Sequence, residues 1–125
     1  MMSQKTIIVI NEDKSIRQYY CLALENENYL IHTASSSEEG LQMMISHPPD
    51  LIFLDFHMPT INGIETLEMI SKINKKVNVY IVTAFHKTYL DKLKRLAADG
   101  IYFEVAQNPL DSEQIISICH DVLKH

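Results

Sequence analysis

Leu51-Ile52-Phe53-Leu54 is an unbroken apolar run that ends on Asp55. Two other runs have the same character. Ile7-Ile8-Val9-Ile10 is followed by Asn11-Glu12-Asp13, and Val79-Tyr80-Ile81-Val82 by Thr83-Ala84. Alternation of apolar and polar residues would mark a strand with one wet face. Continuous apolarity marks strands buried on both faces, as in the middle of a parallel sheet. Two further β-rich segments are less uniform. Tyr29 to Ala34 includes His32, and Ile101 to Val105 is interrupted by Glu104. Both are expected nearer a sheet edge.

Helical stripes separate the runs. Ile16, Tyr19/Tyr20 and Ala23 recur at i, i+3/i+4, i+7. Leu41, Met44 and Ile45 follow Ser36-Ser37-Glu38-Glu39, where Ser36 as N-cap and Glu39 three residues on predict a capping box. Ile64, Leu67, Met69/Ile70 and Ile73 form a third stripe, and Leu90, Leu93 and Leu96/Ala97 a fourth. Ile115, Ile118/Cys119 and Val122 form a fifth, opened by Pro109 and Asp111-Ser112. Gly63 is read as accommodating a turn before the third helix. Five strands alternating with five helices, joined by right-handed crossovers, predict a doubly wound α/β fold. Its five-stranded parallel sheet has the expected order 2-1-3-4-5. Residues 1–125 are expected to form one domain.

Composition narrows the function classes. The chain has 125 residues, 46% hydrophobic and 22% charged, and a net charge of −5. No apolar run approaches a membrane span, and residues 1–6 do not resemble a signal peptide, so a cytoplasmic location away from membranes is expected. The basic clusters Lys72/Lys75/Lys76 and Lys92/Lys94/Arg95 read as helix surface, so direct nucleic-acid binding is not expected. Cys21 and Cys119 lack metal or disulfide spacing. Three glycines cannot build a dinucleotide-binding or P-loop cradle.

In such a sheet ligands bind at the carboxyl ends of the strands, near the switch point between strands 1 and 3. Asn11, Glu12 and Asp13 follow strand 1, Asp55 closes strand 3, and Thr83 closes strand 4. Clustered carboxylates without Cys or paired His suit a hard cation such as Mg²⁺. A carboxylate beside that cation can attack a phosphoryl group and form an aspartyl phosphate. Thr83 would offer its hydroxyl to a phosphoryl oxygen.

At these residues the chain resembles a bacterial two-component response regulator receiver domain over essentially its whole length. Leu54-Asp55-Phe56-His57-Met58-Pro59-Thr60-Ile61-Asn62-Gly63 is similar to the family's phosphoacceptor loop. Ile10 to Arg17 resembles its acidic-pair segment, Val82-Thr83-Ala84 its switch hydroxyl, and Asn108-Pro109-Leu110-Asp111 its Lys-Pro-Phe-Asp. The resemblance implies a flavodoxin-like (βα)5 fold with Asp55 as phosphoacceptor and Thr83 as switch hydroxyl. It implies metal contacts from Glu12, Asp55 and the His57 backbone carbonyl, with Asn11 and Asp13 behind them. Asp13 is equally a candidate cap for helix 1, and Asn11 a turn former.

Three departures stand out. Asn11 replaces the first acid, and Glu12 replaces the usual Asp. The family's lysine is missing, its place taken by Asn108 counting back from Pro109 or by Gln107 counting forward from Gly100. Weak Mg²⁺ binding is therefore expected. The resemblance also implies a sensor histidine kinase or histidine phosphotransfer protein as donor. A downstream protein, or a second copy of the chain, would dock on helix 4, strand 5 and helix 5 (residues 87–98, 101–106 and 111–124). Enzymatic activity would extend no further than self-phosphorylation from a phosphodonor and autodephosphorylation at Asp55. The alternative function is a pseudo-receiver, an interaction module without phosphotransfer.

Overall fold

The computed structural model of the chain describes residues 4–56, 63–84 and 87–123, with the side chains of residues 87–89 excepted. The elements alternate strictly: β1 (Lys5–Ile10), α1 (Lys14–Ala23), β2 (Tyr29–Ala34), α2 (Ser37–Ser46), β3 (Leu51–Asp55), α3 (Gly63–Ile73), β4 (Asn78–Thr83), α4 (Lys87–Ala98), β5 (Glu104–Gln107) and α5 (Ser112–Leu123). The sheet is wholly parallel, in the order β2-β1-β3-β4-β5.

The continuous apolar runs do what their composition predicts. Ile7 to Ile10 and Leu51 to Leu54 are all buried, because each strand sends alternate side chains into two separate cores. Ile8, Ile10, Ile52, Leu54, Val79 and Ile81 pack beneath α2, α3 and α4, around Leu41, Met44, Leu67, Ile70, Leu93 and Leu96. Ile7, Val9, Leu51, Phe53 and Val82 pack beneath α1 and α5, against Tyr20, Ile115, Cys119 and Leu123. Each such side chain contributes roughly 1.5–3 kcal/mol of transfer free energy. At the opposite end from the acidic loops, Asp50 ties β1 to β3. Its Oδ2 accepts from the Thr6 N–H at 2.8 Å, and its own N–H donates to the Thr6 carbonyl at 2.8 Å.

Caps set the helix starts. Ser36 Oγ accepts from the Glu39 N–H at 3.1 Å, and Glu39 Oε1 accepts from the Ser35 N–H at 2.9 Å, one residue before the cap. At α5 the exchange is between Asp111 and Gln114: each side chain accepts from the other's backbone N–H, at 2.8 and 2.9 Å.

One expectation is corrected. The fifth strand is Glu104–Gln107, not Ile101 to Val105. Gly100, at φ 88°, turns the chain out of α4, and the Ile101 N–H still bonds back to the Leu96 carbonyl at 3.1 Å. Pairing with β4 begins only at Tyr80 opposite Glu104. Ile101 and Phe103 are apolar because they cover the α3–α4 core, not because they pair. Gly63 is itself the first, buried residue of α3, and a Cβ there would overlap the Phe56 ring. Close approach to Phe56 thus favours glycine at that position, while residues 57–62, where the turn before α3 is expected, lie outside the described residues.

Candidate functional site

The carboxyl ends of β1, β3, β4 and β5 meet at one edge of the sheet, and their register fixes what lies beside what. Ile10 pairs with Leu54, Asp55 with Val82, and Thr83 with Gln107. Asn11, just past β1, is therefore level with Asp55, and Thr83 stands one residue beyond them on the adjacent strand. The pleat separates them by face. Asp55 follows Leu51 and Phe53 toward α1 and α5, whereas Thr83 follows Val79 and Ile81 toward the other core.

The β1–α1 loop is tightly bonded. Asn11 is buried, its N–H donating to the Ala34 carbonyl at 3.0 Å. Its Oδ1 accepts from the Asp13 N–H at 2.8 Å, and its carbonyl accepts from Arg17 Nη1 at 2.7 Å. Asn11 is thus an Asx-turn former. Asp13 Oδ1 accepts from the Ser15 N–H at 2.8 Å and caps α1. Glu12 is left exposed beside them. Arg17, to which sequence reasoning assigns no role, clamps the loop. A long cation in the first turn of a helix is not by itself a signal for that bond.

These bonds bear on metal binding. Asn11 Oδ1 and Asp13 Oδ1 are engaged by backbone N–H groups, and among the described residues no cluster of three or more His, Cys, Asp or Glu side chains is arranged to hold a metal. The donors with matching chemistry are the carboxylates of Glu12 and Asp55. Two such oxygens fit a hard cation that keeps much of its water shell. His57, whose backbone carbonyl is the expected third contact, lies outside the described residues, as does the rest of the loop to Asn62.

Thr83 is the anomaly of the site. It is 1% exposed, and its Oγ1 has no hydrogen-bond partner among the described residues. Burying a hydroxyl without a bond costs about 1–3 kcal/mol, so such a group calls for an explanation.

On the α1–α5 face lies a cavity of about 610 Å³ lined by Asn11, Ile16, Tyr20, Asp55, Asn108 and Leu110, among others. Asn108 shares this cavity with Asp55; Gln107 does not line it. The Asn108 N–H donates to the Thr83 carbonyl at 2.8 Å, which anchors the β5–α5 loop to the end of β4. Of the two sequence candidates for the position of the missing lysine, Asn108 is thus the one that faces the same space as Asp55. Sequence reasoning missed the cavity altogether, because Tyr19 and Tyr20 read simply as helix packing. Tyr20 packs its ring 5.0 Å from that of Phe53. Burial, and then the nearby Asp55 carboxylate, push its hydroxyl well above the ordinary tyrosine range, so it stays a protonated donor.

Comparison with known proteins gives a consistent result. The response regulator receiver domain family matches residues 7–117. The response regulator ArlR of Staphylococcus aureus is 30% identical over 118 residues, covering 94% of this chain and 52% of ArlR. The chain therefore spans about half the length of the curated relatives it matches. A response regulator receiver domain protein from Clostridium thermocellum is 30% identical with a TM-score of 0.78, covering 94% of each chain. A CheY-like receiver domain protein from Methanospirillum hungatei JF-1 superposes with a TM-score of 0.84 at 22% identity, covering 95% of this chain and 93% of that one. That last likeness concerns the fold alone.

Proposed function

We propose that this chain, which belongs to the response regulator receiver domain family, accepts a phosphoryl group on Asp55 and reads it with Thr83. The single observation that carries the reading is the buried Thr83 hydroxyl, which has no hydrogen-bond partner among the described residues and stands one residue past the register partner of Asp55. A hydroxyl kept at that cost suits a ligand that arrives during function, and a phosphoryl oxygen on Asp55 that extended past the strand ends to the Thr83 side would supply the missing acceptor.

In the transfer, a carboxylate oxygen of Asp55 attacks the phosphorus of a phosphohistidine on a kinase or phosphotransfer partner. The O–P bond forms, the P–N bond breaks, and the imidazole leaves with the electron pair and takes up a proton. Glu12 and Asp55 would hold a divalent cation, with water completing its shell; when bound, it offsets the phosphoryl charge. Asn108 can offer the phosphoryl group only a neutral hydrogen bond, and charge-assisted bonds are roughly twice as strong. Phosphorylation should therefore bias the face of α4, β5 and α5 only weakly.

Incubation with acetyl phosphate and Mg²⁺, followed by intact-mass analysis, tests the assignment. One added phosphoryl group that disappears in Asp55→Asn is the expected result. Its absence in the unaltered protein would favour the alternative, an interaction module without phosphotransfer. Its persistence in Asp55→Asn would place the acceptor elsewhere.

A further inference from the structure

Helices α2 and α3 lie side by side over the same core, and one buried bond fixes how they are turned: Thr66 Oγ1 donates to Ser37 Oγ at 2.8 Å. The side of α3 that carries Thr66 therefore faces α2. Met69 and Ile73 lie on that side, three and seven residues further along. The other side of α3, at Leu67 and Ser71, adjoins Ile101 and Tyr102 instead. On α2 the row that descends from Ser37 at intervals of four passes through Leu41 to Ile45. Leu41 is buried, but Ile45 is 66% exposed, Met69 41% and Ile73 42%. Three large apolar side chains are thus aligned along one groove, toward the end away from the acidic loops. Single exposed apolar residues are ordinary, whereas an aligned set marks a contact surface. Lys72, Lys75 and Lys76 are exposed and stand at the same end. Among the described residues none of the three ammonium groups belongs to an ion pair. The chain as a whole carries −5, so this concentration of cations within residues 72–76 runs against its average. The acids Glu38, Glu39 and Glu65 stand in the first turns of the two helices, at the opposite end.

We propose that the α2–α3 groove docks an amphipathic helix of a partner protein, one whose apolar stripe ends in a cluster of carboxylates. A groove between two helices accepts a ridge of side chains at i, i+3, i+4 and i+7. That stripe covers Ile45, Met69 and Ile73, and the carboxylates meet Lys72, Lys75 and Lys76. The apolar contacts supply affinity, and the lysines select the acidic partner and fix which way round it lies. The groove is on the face of the sheet opposite the one toward which Asp55 points. A helix seated there leaves the Asp55 side of the sheet open, so the two faces can be engaged at once.

The probe is a synthetic peptide of ~18 residues, long enough to be helical by itself, with leucines at helical spacing and glutamates at one end. Its counterpart carries lysine in place of every glutamate. Both are titrated into the full unphosphorylated chain while amide shifts are followed. The glutamate peptide should give saturable shifts in residues 41–46 and 69–76. It should bind about tenfold more tightly than the lysine peptide, and the preference should shrink as salt is added. Lys72→Glu combined with Lys76→Glu should abolish the preference. Ile45→Ser and Ile73→Ser should weaken both peptides, whereas Leu22→Ser, at an exposed position on α1, should weaken neither. All these positions are exposed, and thermal melts matching the parent's show that each variant is folded. Shifts that fail to saturate or that map elsewhere, a lysine peptide that binds as tightly, or a preference that survives the double lysine substitution would each overturn the proposal. So would a dimer of the chain that Ile45→Ser dissociates, which would assign the groove to a second copy, or capture by anionic lipid vesicles in place of the glutamate peptide. None of these results depends on whether Asp55 can be phosphorylated.

Discussion

Replacing Thr83 by Val should make the protein more stable and less responsive. Valine keeps the branched shape of threonine and removes only the hydroxyl. At 1% exposure the Thr83 Oγ1 has lost its water and has gained no bond among the described residues. Its removal should recover most of a desolvation penalty of about 1–3 kcal/mol, and the added methyl contributes up to ~0.8 kcal/mol of burial. A net gain of about 1–2 kcal/mol is the working figure. For a domain of this size that corresponds to a rise in Tm of roughly 4–8 °C. The assay is urea and thermal denaturation of both proteins in the absence of phosphodonor. A parallel titration with beryllofluoride, in the presence of Mg²⁺, then reads the response. Thr83→Val should bind the phosphoryl mimic at Asp55 but show smaller shifts in β4 and α4. A variant less stable than the parent by more than about 1 kcal/mol would mean that the hydroxyl is bonded in solution. The reasoning would also fail if the variant were stabilised yet responded to beryllofluoride as fully as the parent, because the hydroxyl would then have no receiving role.

Four further outcomes are expected. Asn108→Lys should increase the dependence of the α4–β5–α5 face on phosphorylation, read as partner affinity or dimerisation with and without beryllofluoride; an unchanged dependence would mean the missing cation is not limiting. Asp13→Ala should lower stability by ~1 kcal/mol through the lost cap on α1 while leaving phosphorylation detectable, whereas Asp55→Ala should remove phosphorylation entirely, as measured by denaturant melts and phosphate incorporation. Cys21 is exposed, while burial pushes the Cys119 thiol up to about 12, so a thiol reagent at neutral pH should modify one cysteine quickly and the second only on unfolding. Burial, and then the charge of His47 stacked 4.3 Å away, hold His32 below its ordinary value of 6.5. The unfolded chain then binds a proton that the folded one does not, so stability should fall as pH drops below 6.5. His32→Phe should flatten that loss between melts at about pH 7.5 and about pH 5.5.

The sheet was legible because its central strands carry no polar residue at all over four positions. A strand buried on both faces must read that way, whatever its neighbours are. The caps were legible for a similar reason: Asp13, Ser36 and Asp111 act on backbone groups two or three residues away, and such bonds are local. The α/β alternation and the handedness of its crossovers then left little freedom in strand order, and Asn11, Asp55 and Thr83 were bound to arrive at one end. Asn11 stayed open between two roles because a buried amide can turn the chain or face a ligand. Its bond to the Asp13 N–H shows the turn-forming role, which the sequence alone could not.

What tertiary structure alone decided is everything that depends on which residues of distant segments share a space. Ile101 and Phe103 look like strand residues, yet they serve the core from outside the pairing, because hydrophobicity reports burial and not hydrogen bonding. Counting along the chain could not choose between Gln107 and Asn108. Only the tertiary structure shows that Asn108, just past the end of β5 and bonded through its N–H to Thr83, lines the cavity beside Asp55 while Gln107 does not. That the Thr83 hydroxyl has no partner among the described residues is likewise invisible in a one-dimensional string, since it is a property of the groups around it. Composition and periodicity, being local, determined the elements and the end of the sheet where chemistry belongs. The shape and charge of the space there were decided by the packing of α1 and α5 against β1 and β3, because empty volume is set by side chains that are far apart in sequence.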